Sequence, residues 1–382
     1  MPGPVILRFA DDLRLADNPA VSAAVAAGAS VIPVFIDDPD EDAHWGPGPA
    51  ACAWLERSLD ALDASLAARG SRLLRLSGEA GPELVRIARL TGAGSLQRSR
   101  RRWPSHAETD ARTDAALEQA GVRVRVHDSQ LLHDPDEILA ADGRPYTVFG
   151  PFSRKAASRV RLDMLSDAPS RIPAPEAWPV GAEPQPGVAG AASAFSLPGW
   201  TPGEAGALEA LERFAGDALE RYDTDRDLPG VRGTSRFSPH LRFGEISPAR
   251  VWDTVASLPA AEPFLRQLLW REFAYGLLQH FPHTPEHPLH ARFGASPWSR
   301  DFDGLAAWQQ GRTGFPLVDA GMREMLATGW MHNRVRMIVA SFLVKDLLLP
   351  WQQGAVWFWR GRAVRYPRSA AKTASARRRA SA

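Results

Sequence analysis

Short apolar runs alternate with helical patterns along the first part of the chain. From Ala50 to Arg69, apolar residues recur every three or four positions, as an α-helix requires. Parallel strands are buried on both faces and are joined by helices, so the alternation predicts a Rossmann-like α/β domain over residues 1–130. No G-x-G-x-x-G sequence follows the first run, which weakens the case for a dehydrogenase. The runs predicted to be strands are VILRF (5–9), SVIPVFI (30–36), RLLRL (72–76) and VRVRV (122–126).

The middle of the chain lacks regular periodicity. From Ser166 to Pro202 it is rich in Pro, Ala and Gly, so residues 131–201 are predicted to connect two domains. Helical spacing dominates over residues 202–359, which predicts an all-helical second domain. Residues 360–382 are rich in Arg, Ala and Ser, a composition typical of disordered segments.

One helix of the second domain is predicted from FLRQLLWREF. Gln267, Trp270 and Arg271 lie opposite or beside its apolar face. A tryptophan in such a helix is more often part of the core than a platform for a ligand. The predicted buried face consists of Leu265, Leu268, Leu269 and Phe273.

A second helix is predicted after Gly329. Asn333 and Met337, with Trp330, share one face of it, and the chain's thirteen tryptophans suit stacking on flat rings. Arg334 and Arg336 stand among apolar neighbours, where an unpaired guanidinium is costly unless it meets an anion. The pattern favours an anionic or flat partner, and the alternative is a plain amphipathic helix whose arginines reach water. The predicted apolar stripe consists of Val335, Ile338, Val339, Phe342 and Leu343.

Composition narrows the class of protein. Apolar residues make up 45% and charged residues 23%, ordinary globular values, and the net charge of +1 does not by itself indicate a nucleic-acid binder. A single cysteine, Cys52, excludes a disulfide framework and a cysteine-based metal site, so we expect a cytoplasmic protein without a metal. Charges interrupt the N-terminal apolar run and no later run is long enough to cross a bilayer, which predicts neither a signal peptide nor a membrane span.

A glycine-initiated turn at residues 233–238 is a candidate phosphate site. Its sequence GTSRFS combines hydroxyls, backbone N–H groups and an arginine, all of which bind phosphate oxygens. The alternative is that Thr234 and Ser235 merely cap a helix.

Several motifs together resemble the DNA photolyase/cryptochrome family over much of residues 1–359. They are RFADDLRLADNP after the first run, YTVFGPFSRKA at 146–156, GTSR-x-S at 233–238, WREF at 270–273, and GWMHNRVRM followed by SFLVKDLL. The resemblance implies a helical domain that binds FAD. The residues it assigns to FAD are Tyr222, Thr234, Ser235, Arg236, Phe237 and Ser238, with Gln267, Arg271 and Arg336.

The same resemblance implies contacts with damaged DNA and a route for electrons. It places Trp298 and Trp351 as the outer and middle members of a tryptophan chain that leads to the flavin, whose inner member is not found. At the position of Gln267, many relatives that repair cyclobutane dimers have Glu, so Gln267 weakens the assignment of this substrate. At the position of Asn333, relatives that repair (6-4) photoproducts have His, so Asn333 favours the cyclobutane dimer. The residues assigned to DNA or the lesion are Arg226, Trp270, Asn333, Arg334 and Met337.

In this family the N-terminal domain holds a light-harvesting antenna, methenyltetrahydrofolate or a deazaflavin. The segment Gln97–Trp103, QRSRRRW, lies where relatives often have an aromatic residue near the antenna. A solvated basic loop is the alternative for this segment.

The resemblance is strong up to Trp359 and then stops. Relatives continue with two Asp residues, the first of which pairs with the counterpart of Arg336, and with an Asn and the inner Trp beside the flavin. The tail here is interpreted as a basic arm, an assembly artefact or, as we favour, an out-of-frame continuation of the gene. The sequence therefore predicts an incomplete FAD-binding domain over 202–359 whose Arg336 faces a hole, and hence an unstable or partly open domain.

The function implied by the resemblance is light-dependent DNA repair by a monomer. Reduced FAD, excited by blue light, passes an electron to a cyclobutane pyrimidine dimer, and the electron returns after the ring has opened. Two alternatives remain: a cryptochrome-like blue-light receptor with the same flavin site, and an inactive product of a disrupted photolyase gene.

Overall fold

The computed structural model describes residues 3–38, 41, 45–178, 195–294 and 297–360. It consists of two units, one made of residues 1–46 and 52–297 and the other of residues 47–51 and 298–382. The predicted domain boundaries stay predictions. The prediction of a disordered tail concerns residues 360–382, and residues 361–382 lie outside the described part of the chain.

Five parallel strands form one sheet in the first unit, in the order β3-β2-β1-β4-β5. The α/β prediction is therefore confirmed. All five residues of the central strand β1 are buried, and all but Arg8 are apolar, as expected for a parallel strand covered on both faces. The elements are β1 (Val5–Phe9), α1 (Pro19–Ala26), β2 (Val31–Asp37), α2 (Pro49–Ala67), β3 (Leu74–Ser77), α3 (Ala80–Thr91), β4 (Ser95–Ser99), α4 (Pro104–Gln119) and β5 (Arg123–His127).

The alternative of a solvated basic loop at Gln97–Trp103 is wrong. Its first residues belong to β4, and Arg98 and Arg101 are each only 6% exposed. Both guanidinium groups contact the carboxylate of Asp110 on α4, as does that of Arg8 at 2.8 Å. Arg101 also bonds both oxygens of Glu41, at 2.6 and 2.7 Å. The ion pairs offset the free-energy cost of removing these arginines from water, so the positive charge of this segment does not indicate a solvent-exposed loop.

Within the described residues of the first unit, six α-helices follow the sheet. Phe237, Phe264 and Tyr222 pack in one apolar core between them, together with Phe214. The predicted buried face of α10 is largely confirmed, since Leu268, Leu269 and Phe273 are buried and Leu265 is half-buried. The helices are α5 (Phe149–Ala157), α6 (Glu204–Arg213), α7 (Tyr222–Asp225), α8 (Ser238–Arg242), α9 (Pro248–Ala256) and α10 (Glu262–His280).

The second unit is helical and packs around Trp308, whose indole N–H donates to the Val339 carbonyl at 3.0 Å. The helix predicted after Gly329 is present as α13 and starts at Asn333, because Gly329 ends α12 in a left-handed conformation (φ 71°). The prediction that Trp330 shares a face of this helix is wrong, because Trp330 precedes it. The prediction that Ile338 belongs to the buried apolar stripe is wrong, because its side chain is 42% exposed. The helices are α11 (Phe302–Gln309), α12 (Pro316–Thr328), α13 (Asn333–Ser341), a π-helical turn (Phe342–Asp346) and α14 (Trp351–Arg360).

We predict that Asp110→Asn lowers the free energy of unfolding by about 3–5 kcal/mol, because it removes the carboxylate that Arg8, Arg98 and Arg101 share. Burial raises the pKa of Asp110, but Arg101 and Arg8 lower it further, and the net pKa lies below the ordinary 3.8. Its stabilisation is therefore complete above that value and is lost as the pH falls through the lower folded-state pKa. Urea unfolding between pH 2 and 7 measures both effects, and the variant should lack this acid dependence.

The matched control is Asp142→Asn, which breaks an ion pair with Arg144 whose side chains are 48% and 82% exposed. This control should leave the urea midpoint nearly unchanged. Equal midpoints for Asp110→Asn and the wild type would show that the network contributes nothing to stability.

Candidate functional site

The turn after Gly233 carries unpaired polar groups. Gly233 lies against α7, where a β-carbon would come within 2.4 Å of that of Asp225, so only glycine fits. The hydroxyls of Thr234 and Ser238 have no hydrogen-bond partner among the described residues. The alternative that Thr234 and Ser235 cap a helix stays open for Ser235, whose hydroxyl accepts the N–H of Phe237, the N-cap of α8, at 3.5 Å. The hydroxyls of Thr234 and Ser238 are available to a ligand.

Arg236 is held in this turn against an aromatic wall. Its backbone has φ 56°, in the left-handed region that residues other than glycine seldom adopt. Its guanidinium carbon lies 4.1 Å from the ring centroid of Trp200. Trp200 meets Trp54 edge-on at 5.3 Å. Sequence reasoning missed Trp200, and the one signal for it was a tryptophan in a stretch rich in Pro, Ala and Gly.

Behind this wall, the buried carboxylate of Glu245 contacts four polar groups from three chain segments. One oxygen of Glu245 accepts hydrogen bonds from the Trp54 indole and the Gly203 N–H, both at 2.8 Å, and from the Ser58 hydroxyl. Its other oxygen contacts Nδ1 of His240 on α8. Glu245 thereby connects α2, the end of the interdomain connection and the helix that follows the turn.

Arg226 and Gln267 are brought together at the start of α10. The Arg226 guanidinium and the Gln267 amide nitrogen both approach the carbonyl of Pro263, at 3.5 and 3.2 Å. Tyr222, one helical turn before Arg226, is 7% exposed and packs edge-on against Phe264. The amide oxygen of Gln267 accepts no hydrogen bond from the part of the chain that the structure describes.

Consecutive residues of α10 point in different directions. Trp270 is 45% exposed. Arg271 donates to the carbonyl of Gln130 at 2.9 Å and pairs with Glu272 at 3.0 Å. Glu272 is buried and accepts a hydrogen bond from the Leu132 N–H at 2.8 Å. The loop after β5 thus fixes α10 through two residues and leaves Trp270 at the surface.

In the second unit, α13 begins at Asn333, and its amide nitrogen lies 4.0 Å from the Met337 sulfur. Both residues are exposed, as their spacing of four predicts. Arg334 is half-buried, and its N–H donates to Nδ1 of His332 at 3.2 Å.

Arg336 is half-buried, and its guanidinium makes no ion pair or hydrogen bond within the described residues. Its nearest aromatic contact is the ring of Phe358, at 5.6 Å. Burial lowers the pKa of Arg336, and no carboxylate opposes the shift. That Arg336 faces a hole stays a prediction.

Trp298 and Trp351, also in the second unit, are both half-buried. The N–H of Ser299 donates to the Leu348 carbonyl at 2.7 Å, which ties the segment of Trp298 to the turn before Trp351. Their role in electron transfer stays a prediction.

The carboxyl edge of the sheet carries a second group of aromatic and charged residues. Trp45 and Trp103 meet edge-on at 5.7 Å, and both are half-buried. His106 lies 3.8 Å from a carboxylate oxygen of Asp11, whose pKa falls to about 2 because the His106 hydrogen bond and charge outweigh the opposing effect of burial. Within the described residues, no His, Cys, Asp and Glu side chains are grouped as a metal site, and no helix is long and apolar enough to cross a membrane.

Two family models match the chain: DNA photolyase at residues 5–176, and the FAD binding domain of DNA photolyase at residues 264–367. A deoxyribodipyrimidine photo-lyase of Agrobacterium fabrum is 42% identical, over 93% of this chain and 76% of the relative. Cryptochrome-1 of Arabidopsis thaliana is 35% identical, and the chain spans about half of it (54%). A solved bacterial class III photolyase from Agrobacterium tumefaciens superposes with a TM-score of 0.86 at 41% identity, over 95% of this chain and 77% of that structure.

We predict that Arg336→Met raises the free energy of unfolding of the second unit by about 1 kcal/mol, because an apolar side chain replaces a desolvated charge without a partner. Urea unfolding measures the change. The matched control is Arg300→Met, at an exposed position of the same unit, which should leave stability unchanged. A less stable Arg336→Met variant would show that the guanidinium has found an anion.

Proposed function

We propose that this chain, which belongs to the DNA photolyase family, uses bound FAD and blue light to split cyclobutane pyrimidine dimers in DNA. The observation that carries the proposal is the turn at Thr234–Ser238, where unpaired hydroxyls lie beside Arg236 in the segment that the family resemblance assigns to the flavin diphosphate. The FAD-binding family match over residues 264–367 supports the same cofactor.

The turn fits a diphosphate on chemical grounds. The hydroxyls of Thr234 and Ser238 can donate to phosphate oxygens, and Arg236, fixed on Trp200, supplies a positive charge. Phe237 is buried beneath the turn, which keeps the backbone in place. FAD, when bound, reduced and excited by blue light, supplies the electron that opens the dimer. Assignment of Tyr222, Arg271 and Arg336 to the flavin stays a prediction.

DNA recognition is proposed for the residues near the start of α10. A lesion must leave the duplex to reach a buried cofactor, and an exposed indole such as Trp270 can stack on its bases. The amide oxygen of Gln267 can accept a base N–H, and Arg226 beside it can meet a phosphate. Asn333, Arg334 and Met337 remain predicted lesion contacts.

We also propose the carboxyl edge of the sheet as the antenna site. In a sheet of this order, the helices that follow the neighbouring strands β1 and β4 lie on opposite faces of the sheet. In such folds, ligands bind in the crevice between the carboxyl ends of these two strands. Trp45 and Trp103 offer aromatic surfaces to a flat ring, which suits either methenyltetrahydrofolate or a deazaflavin.

The test is repair of an oligonucleotide that carries one cyclobutane thymine dimer, with purified protein loaded with FAD under reducing conditions. Chromatography should show intact thymines after blue light and none in the dark. Bound flavin without repair would instead favour a cryptochrome-like receptor. A chain that takes up no FAD would support the product of a disrupted gene.

We predict that Thr234→Val combined with Ser238→Ala weakens FAD binding by about 10-fold or more, because hydrogen bonds to charged phosphates are lost. Flavin fluorescence anisotropy measures the affinity. Riboflavin, which lacks the diphosphate, is the matched probe and should bind the variant and the wild type equally. Equal weakening for both flavins would place the effect at the ring rather than at the diphosphate.

A further inference from the structure

We propose that Phe149 is a positioning residue that fixes Trp270 as one face of a stacking platform for an unpaired nucleobase. The proposal rests on the proposed function and adds a residue to its lesion site. The two rings lie parallel, with centroids 3.7 Å apart and an angle of 7° between their planes. Trp270 is 45% exposed, whereas Phe149 is 6% exposed. One face of the indole is therefore covered, and its exposure belongs to the opposite face and the edge.

Phe149 is itself held firmly. It is the first residue of α5 and lies in a buried cluster with Phe152 and Phe273. The Phe273 ring meets Phe149 edge-on at 5.8 Å and Trp270 edge-on at the same distance. Trp270 thus contacts two rings that cannot move without disturbing the core, and its side chain is ordered before any ligand arrives.

The free surface of this stack matches a nucleotide. Every base presents a flat face that stacks on an indole, so the platform has no need of a particular sequence. Arg266 lies one helical turn before Trp270 and is exposed, with its guanidinium carbon 5.2 Å from the Phe149 ring. An exposed ring beside an exposed positive charge suits a base and its phosphate. A platform that is ordered in advance loses less side-chain entropy on binding, which favours slow dissociation.

The experiment compares Phe149→Leu, which keeps apolar volume but loses the flat ring, with Phe149→Tyr, which keeps the ring. The probes are a single-stranded oligothymidylate and the same strand with one cyclobutane dimer. Phe149→Leu should weaken binding of the dimer strand about 3- to 10-fold, mainly through faster dissociation, as loss of an aromatic pair predicts. Phe149→Tyr should bind like the wild type. Urea midpoints, measured alongside, should differ little between the two variants.

A double-mutant cycle separates positioning from structural support. In a Trp270→Ala background, Phe149→Leu should cause no further loss, because Phe149 acts only through Trp270. The proposal is overturned if Phe149→Leu binds both strands like the wild type, if its loss persists in the Trp270→Ala background, or if the wild type binds neither strand. A wild type that binds both strands equally would contradict dimer recognition, yet the Phe149→Leu effect on plain oligothymidylate would still support the platform.

Discussion

The buried carboxylate of Glu245 is the constraint around which the candidate flavin turn is built. A charge without solvent is stable only if its oxygens are satisfied, and here donors arrive from α2, from Gly203 and from His240. His240 lies two residues after Ser238, the last residue of the turn. A different turn conformation would move His240 away from Glu245 and leave that carboxylate oxygen without a donor. The free-energy cost of this loss exceeds that of the left-handed backbone at Arg236, so the turn keeps its shape.

The loop after β1 applies the same principle to the α/β part. The Arg14 guanidinium donates to three carbonyls, among them that of Gly244, which directly precedes Glu245. Asp17 accepts from Ser247 and pairs with Arg250 at 2.7 Å. Asn18 caps α1 and Pro19 is its first residue, so the end of this loop has the residue types that favour a helix start. The structure adds that the loop also holds the backbone on which Glu245 stands.

What the sequence could predict depended on whether the signal was local. The strand at Val5–Phe9 was located to the residue, since four of its five residues are apolar and such a short run is recognised without knowledge of its partners. Strand β4 was missed because its Arg98 is buried against Asp110, and such a distant ion pair leaves no periodic trace. In the site, residue types revealed Thr234–Ser238, whereas Trp200 and Phe149 act through distant rings and were not foreseen.

The anchoring of α10 restricts how this protein can evolve. Arg271 and Glu272 are bound to the loop at Gln130–His133, while the neighbouring Trp270 faces outward. Each residue added to a helix turns everything after it by roughly 100°. One inserted or deleted codon before Trp270 would thus aim the indole sideways and pull the buried carboxylate from its donors. Evolution can therefore substitute residues on this helix, but insertions and deletions between its start and Trp270 are selected against.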